Sequence, residues 1–334
     1  MRFATLVTLL PLLLAFDPAQ PPTLPEADRI RIAEAFRLAD AIGNKVWPDW
    51  DKAPFAVLLV TKEHEFLIRH PKPSEDFKLI GDDAILKHKV WYRKRQFNPE
   101  FLATFPAVGG VFTIVIGQPE NTAVRGSVHW VITMLHEHFH QLQYTKPRYQ
   151  GAVDALRLAK GDQTGMWMLN YPFPYATTAV KEQYAATAQA LVNAVRGRDQ
   201  ADFPKQVEAY LEAKNKLRVL VNEDDYKYFL FQTWQEGIAR YTEIRLAELA
   251  ATEYTPTKEF ASLKDFHSFK EEAYISQKST ENELTMLPLD KAKRTVVYAF
   301  GAGEGLILDV LHPDWRKGYF EQMCSLDGHF RAKN

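Results

Sequence analysis

The chain has 334 residues, with 41 Lys and Arg against 42 Asp and Glu, and one cysteine, Cys324. This length can bury the core of one catalytic unit with two lobes, and the balanced charge gives no net attraction to nucleic acid or to an anionic membrane. A single cysteine excludes a disulfide within the chain and a thiolate-rich zinc site, so any metal must be held by His, Asp or Glu.

Residues 1–19 have the layout of a secretory signal peptide. Arg2 precedes an apolar run over 3–16, and small and Pro-rich residues follow, with cleavage expected after Ala15 or Ala19. The apolar run is too short to span a bilayer, so stable membrane insertion is not expected once the segment is removed. We therefore predict an exported protein, periplasmic or secreted. An uncleaved hydrophobic anchor is the alternative, and mass spectrometry of the mature N-terminus separates the two.

The next hundred residues predict one helix and then several strands. Apolar residues recur at helical spacing over 25–47. Runs rich in β-branched and aromatic residues at 55–60 and 65–69 predict a strand pair, and 85–92 predicts a further strand. The clearest strand is 111–116, bounded by glycines on both sides. Strands followed by a helix favour an α+β fold with a small N-terminal sheet packed on that helix.

That helix covers 131–143, VITMLHEHFHQLQ, and contains a His-Glu-x-x-His pattern. His136 and His140 are four residues apart, so they lie on one face and can hold one metal ion. Glu137 is about 100° round the helix from His136, placed to reach a water on that ion rather than to be a ligand. The pattern is a signature of zinc peptidases. His138 lies about 200° from His136 and is predicted to point away from the metal.

Residues 144–216 are predicted to be mostly helical, as an inserted lobe with breaks at Pro172 and Pro174. A strongly helical segment follows at 229–250, FLFQTWQEGIARYTEIRLAELA, and contains Glu236 and Gly237. A helix-interior glycine costs about 1 kcal/mol relative to Ala, so we expect a packing reason for it. The expected reason is a close approach to the His-bearing helix, which lets Glu236 reach the metal.

Together, His136-Glu137-x-x-His140 and Glu236-Gly237-x-Ala239 resemble the gluzincin group of zinc metallopeptidases, the thermolysin-like and aminopeptidase-like enzymes. The resemblance covers two short helices. It implies a zincin-like fold, one Zn²⁺ per chain held by His136, His140 and Glu236, and Glu137 as general base.

Two features depart from that group. Glu236 lies 96 positions after His140, a longer gap than is usual there. Arg240 stands where thermolysin-like members carry an acidic residue, and Glu243, about one turn further on, is a candidate to orient a ligand histidine in its place.

Tyr298 is the candidate oxyanion donor. It lies in Val296-Val297-Tyr298-Ala299-Phe300-Gly301, which is similar to the Tyr-x-x-Gly element of the aminopeptidase-like gluzincins, and an ordinary core tyrosine is the alternative. No strand-turn-helix unit surrounds the nearby glycines, so close helix packing is expected rather than a nucleotide loop. The glycines are Gly301, Gly303 and Gly305.

The resulting expectation is a single metallopeptidase-like domain over 20–334 that hydrolyses peptide bonds in a peptide or protein substrate. We expect three parts: the N-terminal helix, the sheet and the metal-binding helix at about 22–143, a helical insertion at about 144–225, and a helical part with the third ligand at about 226–334. Strand 111–116 is the candidate sheet edge for an extended substrate. The Gly-x-Met-Glu-Asn element by which aminopeptidases of this group bind a free amino terminus is missing, so exopeptidase activity is not supported.

Two other functions remain open at this level. One is a non-catalytic zinc-binding or scaffold protein of the same fold, although a structural site has no need of Glu137. The other is a di-iron carboxylate protein, because Glu137-x-x-His140 and Asp309-x-x-His312 each have two-ligand spacing. Metal analysis distinguishes these functions: one zinc per chain favours the peptidase, two irons favour the di-iron protein, and no metal favours the scaffold. The remaining histidines show no ligand spacing among themselves; they are His64, His70, His88, His129, His267, His312 and His329.

Overall fold

A computed structural model describes residues 20–331, and the predicted signal segment lies outside them. Within these residues the architecture is α+β, as predicted, with one sheet on the N-terminal side and mostly helices after it. The strands are β1 (Val57–Val60), β2 (His64–Ile68), β3 (Lys78–Asp82), β4 (Lys89–Lys94), β5 (Leu102–Val108) and β6 (Val111–Gly117). The part of the chain described contains no helix that is long and apolar enough to cross a membrane.

One α-helix precedes the sheet, and the others follow it and form the C-terminal part. They are α1 (Glu26–Val46), α2 (Ser127–Thr145), α3 (Tyr149–Ala155), α4 (Trp167–Asn170), α5 (Thr178–Arg196), α6 (Phe203–Leu220), α7 (Glu223–Gln232), α8 (Ile238–Glu253), α9 (Lys258–Ala261), α10 (Phe269–Met286), α11 (Leu289–Ala292), α12 (Val296–Leu311) and α13 (Trp315–Gly318). The predicted helix over 229–250 is divided between α7 and α8 by a π-helical turn, Thr233–Gly237.

The strand order is β3-β4-β2-β1-β6-β5, with β1 and β6 parallel and the other neighbouring pairs antiparallel. The expectation that strand 111–116 forms a sheet edge is therefore wrong. β6 is paired on both sides, and β5 forms that edge. The sequence pattern did not reveal β5, because Pro106 and two alanines interrupt the β-branched run. An edge strand tolerates Pro106, since one side of it makes no ladder hydrogen bonds.

The predicted strand at 85–92 is displaced along the chain. β4 begins at Lys89, and the preceding residues form a turn in which Oδ1 of Asp83 accepts hydrogen bonds from the backbone N–H groups of Ile85 and Leu86, both at 2.9 Å. An Asp side chain that binds the backbone two and three residues on competes with strand formation. β3 was also not predicted, because its side chains are mostly exposed.

Both faces of the sheet are covered, which explains the continuous burial of β1. Val57 and Leu59 face the helical core, whereas Leu58 and Val60 face a smaller cluster that includes Phe77. Side chains alternate between faces along a strand, so a strand buried on both sides reads as an unbroken apolar run.

Helix α2 lies between the sheet and the helical part. It packs on β5 and β6 on one side and on α1 and α8 on the other, and α8 in turn packs on α10 and α12. Residues 127–143 of α2 are buried almost without interruption. Any polar group on this helix must therefore find a partner inside the protein.

Candidate metal centre

The two histidines of the α2 motif face each other at short range. Nε2 of His136 lies 3.2 Å from Nε2 of His140, and each residue is only 5% exposed. Their other ring nitrogens have separate partners: Nδ1 of His136 lies 2.6 Å from Oε1 of Glu243, and Nδ1 of His140 lies 2.7 Å from Oε1 of Gln143. When Nδ1 carries the hydrogen and donates it, Nε2 is left with a lone pair. Both Nε2 atoms are thereby available to one ion.

Glu236 completes the group from the π-helical turn. Its Oε2 lies 3.4 Å from Nε2 of His140 and 3.9 Å from Nε2 of His136. Zinc binds nitrogen and oxygen at about 2.0–2.2 Å with tetrahedral angles, which places neighbouring ligand atoms about 3.3–3.5 Å apart. The three observed separations bracket that value. Within the described residues, this is the one group of three or more His, Cys, Asp or Glu side chains with metal-binding spacing. We call His136, His140 and Glu236 the metal group.

The π-helical turn has an identifiable close contact beside it. A Cβ on Gly237 would lie 2.4 Å from Cα of Gly301 and 2.7 Å from the backbone oxygen of Val297. The glycine therefore permits close approach to α12, and the expectation that it faces the His-bearing helix is wrong. The expectation of close helix packing at Gly301 and Gly305 is confirmed, since a Cβ at Gly305 would meet the ring of Tyr241 at 2.6 Å.

The short distances within this group shift the pKa values of His140 and Glu236. Burial alone would lower the pKa of His140, but the adjacent Glu236 carboxylate outweighs it and raises that pKa to about 9. Burial would likewise raise the pKa of Glu236, yet His140, Arg294 and His136 together lower it to about 2. Glu236 is therefore ionised, and without a metal His140 is protonated at neutral pH. A cation bound between the imidazoles would displace that proton and free Nε2 of His140.

Glu137 lies beside the group without belonging to it. The residue is 5% exposed, and Oγ1 of Thr104 on β5 lies 2.8 Å from its Oε2 and 2.9 Å from its backbone oxygen. The sheet edge thus fixes the orientation of this carboxylate. Sequence spacing contained no signal for Thr104, because only the sheet order brings β5 against α2.

Tyr298 lies against the group from α12. Its ring stacks on that of His136, with centroids 6.1 Å apart, and its hydroxyl lies 3.4 Å from Nη1 of Arg294. Burial and the nearby Glu236 charge raise the pKa of Tyr298 well above its ordinary value. The hydroxyl therefore stays protonated; it accepts a hydrogen bond from Nη1 of Arg294 and keeps its own hydrogen for donation.

Glu243 is buried, 3% exposed, and its Oε1 lies 3.6 Å from Nε of Arg240 in addition to its bond to His136. Burial would raise its pKa, but Arg240 and His136 lower it to about 2. Arg240 thus supplies a countercharge for the Glu243 carboxylate, which is hydrogen-bonded to His136. Gln143 gives His140 the corresponding support, and its place three residues after His140 was the signal that the sequence offered.

His138 lies on the other face of α2, as expected. Its ring stacks on Phe55 with centroids 3.8 Å apart, and burial lowers its pKa to about 3. Asp309 is also outside the metal group, because its carboxylate accepts hydrogen bonds from Tyr241 and from the indole of Trp315.

Arg294 is not among the site residues that the sequence patterns predict. Its Nη1 lies 3.6 Å from Oε1 of Glu236, so it flanks the carboxylate on the side away from the imidazoles. Its position four residues before Tyr298, one helical turn, was the available signal.

Comparison with protein-family models, with curated proteins and with solved structures found no match for this chain.

Proposed function

We propose that this protein is a zinc-dependent peptidase with a zincin-like, gluzincin-type site. The observation that carries the proposal is the spacing of His136, His140 and Glu236, whose ligand atoms lie 3.2–3.9 Å apart, close to the separation in tetrahedral zinc sites. Beside them, the sheet edge holds Glu137, the residue next to the first ligand, in place. Two imidazoles and one carboxylate are a donor set that catalytic zinc uses, with a fourth position left open.

His136, His140 and Glu236 would hold the zinc ion, which would act as a Lewis acid on a peptide carbonyl and would lower the pKa of a bound water toward about 7. Glu137 accepts the proton of the attacking water and returns it to the leaving amine, while Thr104 holds the carboxylate in position. Tyr298 donates its hydroxyl hydrogen to the oxygen on which negative charge develops.

The substrate lies along β5, the sheet edge next to Glu137. An extended peptide adds to such an edge through backbone hydrogen bonds, and Thr104 places that edge against the base. N-methylation of a substrate amide that pairs with β5 removes a ladder donor, so it is expected to block cleavage. Unchanged turnover for an N-methyl scan across the whole substrate would refute this placement.

The apolar segment after Arg2 supports export, so the proposed substrates are peptides or proteins met outside the cytoplasm. The alternatives receive less support from the geometry. A structural zinc site needs no oriented base, and a di-iron centre needs several carboxylates, whereas Glu236 is the one carboxylate of the group found in residues 20–331.

The test combines metal analysis with an unbiased peptide-library digest. The full chain is expected to bind one zinc and cleave peptides, and His140→Ala is expected to lose the metal. Glu137→Gln keeps the shape of the side chain without its basicity, so it is expected to retain zinc and lose cleavage about 10²–10⁴-fold. Full cleavage by Glu137→Gln, or two irons per chain, would refute the proposal.

A further inference from the structure

Arg294 lies in a short turn, Lys293–Thr295, immediately before α12, and its guanidinium is next to the metal group. Nη1 is 3.6 Å from Oε1 of Glu236, whose other oxygen faces the imidazoles, and 3.4 Å from the hydroxyl of Tyr298. An extended chain advances about 3.3–3.6 Å per residue, so this guanidinium is within one or two substrate residues of the metal position.

The contacts of Arg294 within the protein leave most of its donors available. Its three polar contacts are to Gln232 at 3.4 Å, Tyr298 at 3.4 Å and Glu236 at 3.6 Å, and all of them involve Nη1. Charge-assisted hydrogen bonds are about 2.7–2.9 Å long. Among residues 20–331, no hydrogen-bond acceptor is found for Nε or Nη2. The side chain is 21% exposed, which leaves these donors within reach of a ligand.

Arg93, which is also largely buried, differs from Arg294 in having short ion pairs within the protein. Nε of Arg93 lies 2.6 Å from Oε2 of Glu65, and its Nη1 lies 2.8 Å from Oδ2 of Asp76. Arg93 is held by two short ion pairs on the outer face of the sheet. Arg294 has no comparably short ion pair within the described residues, although it lies beside the carboxylate of Glu236.

The charges around Arg294 favour an anionic ligand. Glu236 is the one carboxylate within ion-pair distance of it in the described part of the chain, and that carboxylate also serves the metal group. A divalent ion and Arg294 carry three positive charges, against two negative charges from Glu236 and Glu137. Arg240 and Glu243 compensate each other. The loaded site therefore keeps one positive charge for the substrate to neutralise.

The neighbouring groups are neutral and polar. Nε2 of the buried Gln232 donates to the backbone oxygen of Met168, and this fixes its Oε1 toward Arg294. The hydroxyl of Tyr228 donates to the same backbone oxygen at 2.9 Å. Besides Glu236, the titratable groups that interact electrostatically with Arg294 include Tyr298, Tyr228 and Tyr175, all of them tyrosines. The guanidinium is thus oriented, and residues 20–331 contain no second carboxylate within ion-pair distance of it.

We propose that Arg294 is a specificity-determining residue that binds a carboxylate of the substrate within two residues of the scissile bond. The planar guanidinium suits two parallel hydrogen bonds to a carboxylate, which a lysine cannot reproduce. The carboxylate belongs to an Asp or Glu side chain or to the C-terminus of a short peptide. This inference rests on the proposed peptidase function.

The experiment compares matched peptides derived from the best library substrate. One set replaces each Asp or Glu by Asn or Gln, and another replaces the terminal carboxylate by an amide. The zinc-loaded full chain is expected to prefer the acidic member of one pair by about 10–100-fold in kcat/KM. The pair that shows the preference identifies the source of the carboxylate.

Arg294→Gln and Arg294→Lys are expected to reduce that ratio to near one, with zinc content measured in each variant. Arg196→Gln is the matched control for lost positive charge, because Arg196 is 48% exposed and pairs with Glu281 away from the metal group. Binding is measured separately by calorimetry in the Glu137→Gln background, where affinity for the acidic peptide is expected to fall only when Arg294 is changed.

The outcomes separate the two proposals. If the zinc-loaded chain hydrolyses no peptide, the peptidase assignment fails, and this inference fails with it. If it cleaves acidic and neutral peptides equally, or if Arg294→Gln keeps the acidic preference, this inference alone is overturned.

Discussion

A Cβ atom on Gly237 would lie only 2.4 Å from the Cα atom of Gly301, closer than two such atoms can approach. Two glycines thus bring α12 against the π-helical turn that carries Glu236. Because Tyr298 and Arg294 belong to α12 and the turn before it, this contact also sets their distance from the metal group.

Gly237→Ala is expected to lower the free energy of unfolding by about 1–3 kcal/mol. The added methyl meets backbone atoms that cannot rotate away, and this outweighs the gain of about 1 kcal/mol in helix propensity. Gly151→Ala is the control, because Gly151 lies in α3 with no atom within 4 Å of an added Cβ, so it should gain about 0.5–1 kcal/mol. Thermal or urea unfolding measures both. A Gly237→Ala protein as stable as the wild type would contradict the packing argument.

Glu243→Gln is expected to weaken zinc binding about 10–100-fold, since the carboxylate that holds Nδ1 of His136 is lost and Arg240 loses its partner. Competition with a chromophoric chelator measures the affinity. Glu248→Gln on the same helix serves as control, because Glu248 pairs with Arg245 rather than with a residue of the metal group. Equal zinc affinity in Glu243→Gln and Glu248→Gln would show that Glu243 does not support the metal.

Tyr298→Phe is expected to reduce kcat about 10²–10³-fold while zinc content stays the same, because it removes one donor to developing negative charge. Tyr184→Phe removes a hydroxyl at another buried site, where the ring packs on Phe229 and Phe300, and should leave turnover unchanged. Steady-state kinetics on the best library peptide tests the pair. A tyrosine with only a packing role would give similar kinetics in both variants.

The ion-pair cluster at the start of α10 is expected to make stability depend on pH. The buried Glu272 lies 2.7 Å from Nδ1 of His129 and 2.6 Å from Nε2 of His267. Burial opposes both charges. Glu272 nevertheless raises the pKa of His129 above 6.5, and the two imidazoles lower the pKa of Glu272 below 4.5.

These two pKa shifts determine in which pH range the cluster stabilises the fold. A raised histidine pKa stabilises the fold fully below about pH 6.5, and this contribution is lost as pH rises through the folded pKa. A lowered glutamate pKa stabilises it above about pH 4.5, and this is lost as pH falls through the folded pKa. Glu272→Gln should therefore cost most between pH 4.5 and 6.5, about 1–3 kcal/mol, and less above that range.

Denaturant titrations of Glu272→Gln across pH measure this dependence. Glu271→Gln is the control, because it removes the same charge from an exposed position in the same first turn of α10. A loss of stability in Glu272→Gln that does not vary with pH would contradict the assignment.

Local periodicity accounts for the features that could be predicted. Four residues along a helix return to the same face, so His136 and His140 had to meet once 131–143 was helical, and His138 had to point elsewhere. The alternation of β1 side chains between two faces and the glycine spacing in α12 are likewise local patterns, which neighbouring residues in the sequence determine. These patterns were sufficient for the α+β class and for the two imidazoles of the group.

Only the tertiary structure decided which distant groups surround them. Sheet order is a matter of pairing between strands far apart in the chain, and it made β5 rather than 111–116 the edge that brings Thr104 to Glu137. Packing of α8 on α2 buried Glu243 against His136, and packing of α12 on the π-helical turn gave Gly237 its partner and placed Arg294 beside Glu236. The spacing of residues along the chain does not determine the distance between two helices or strands, because that distance depends on how their side chains pack.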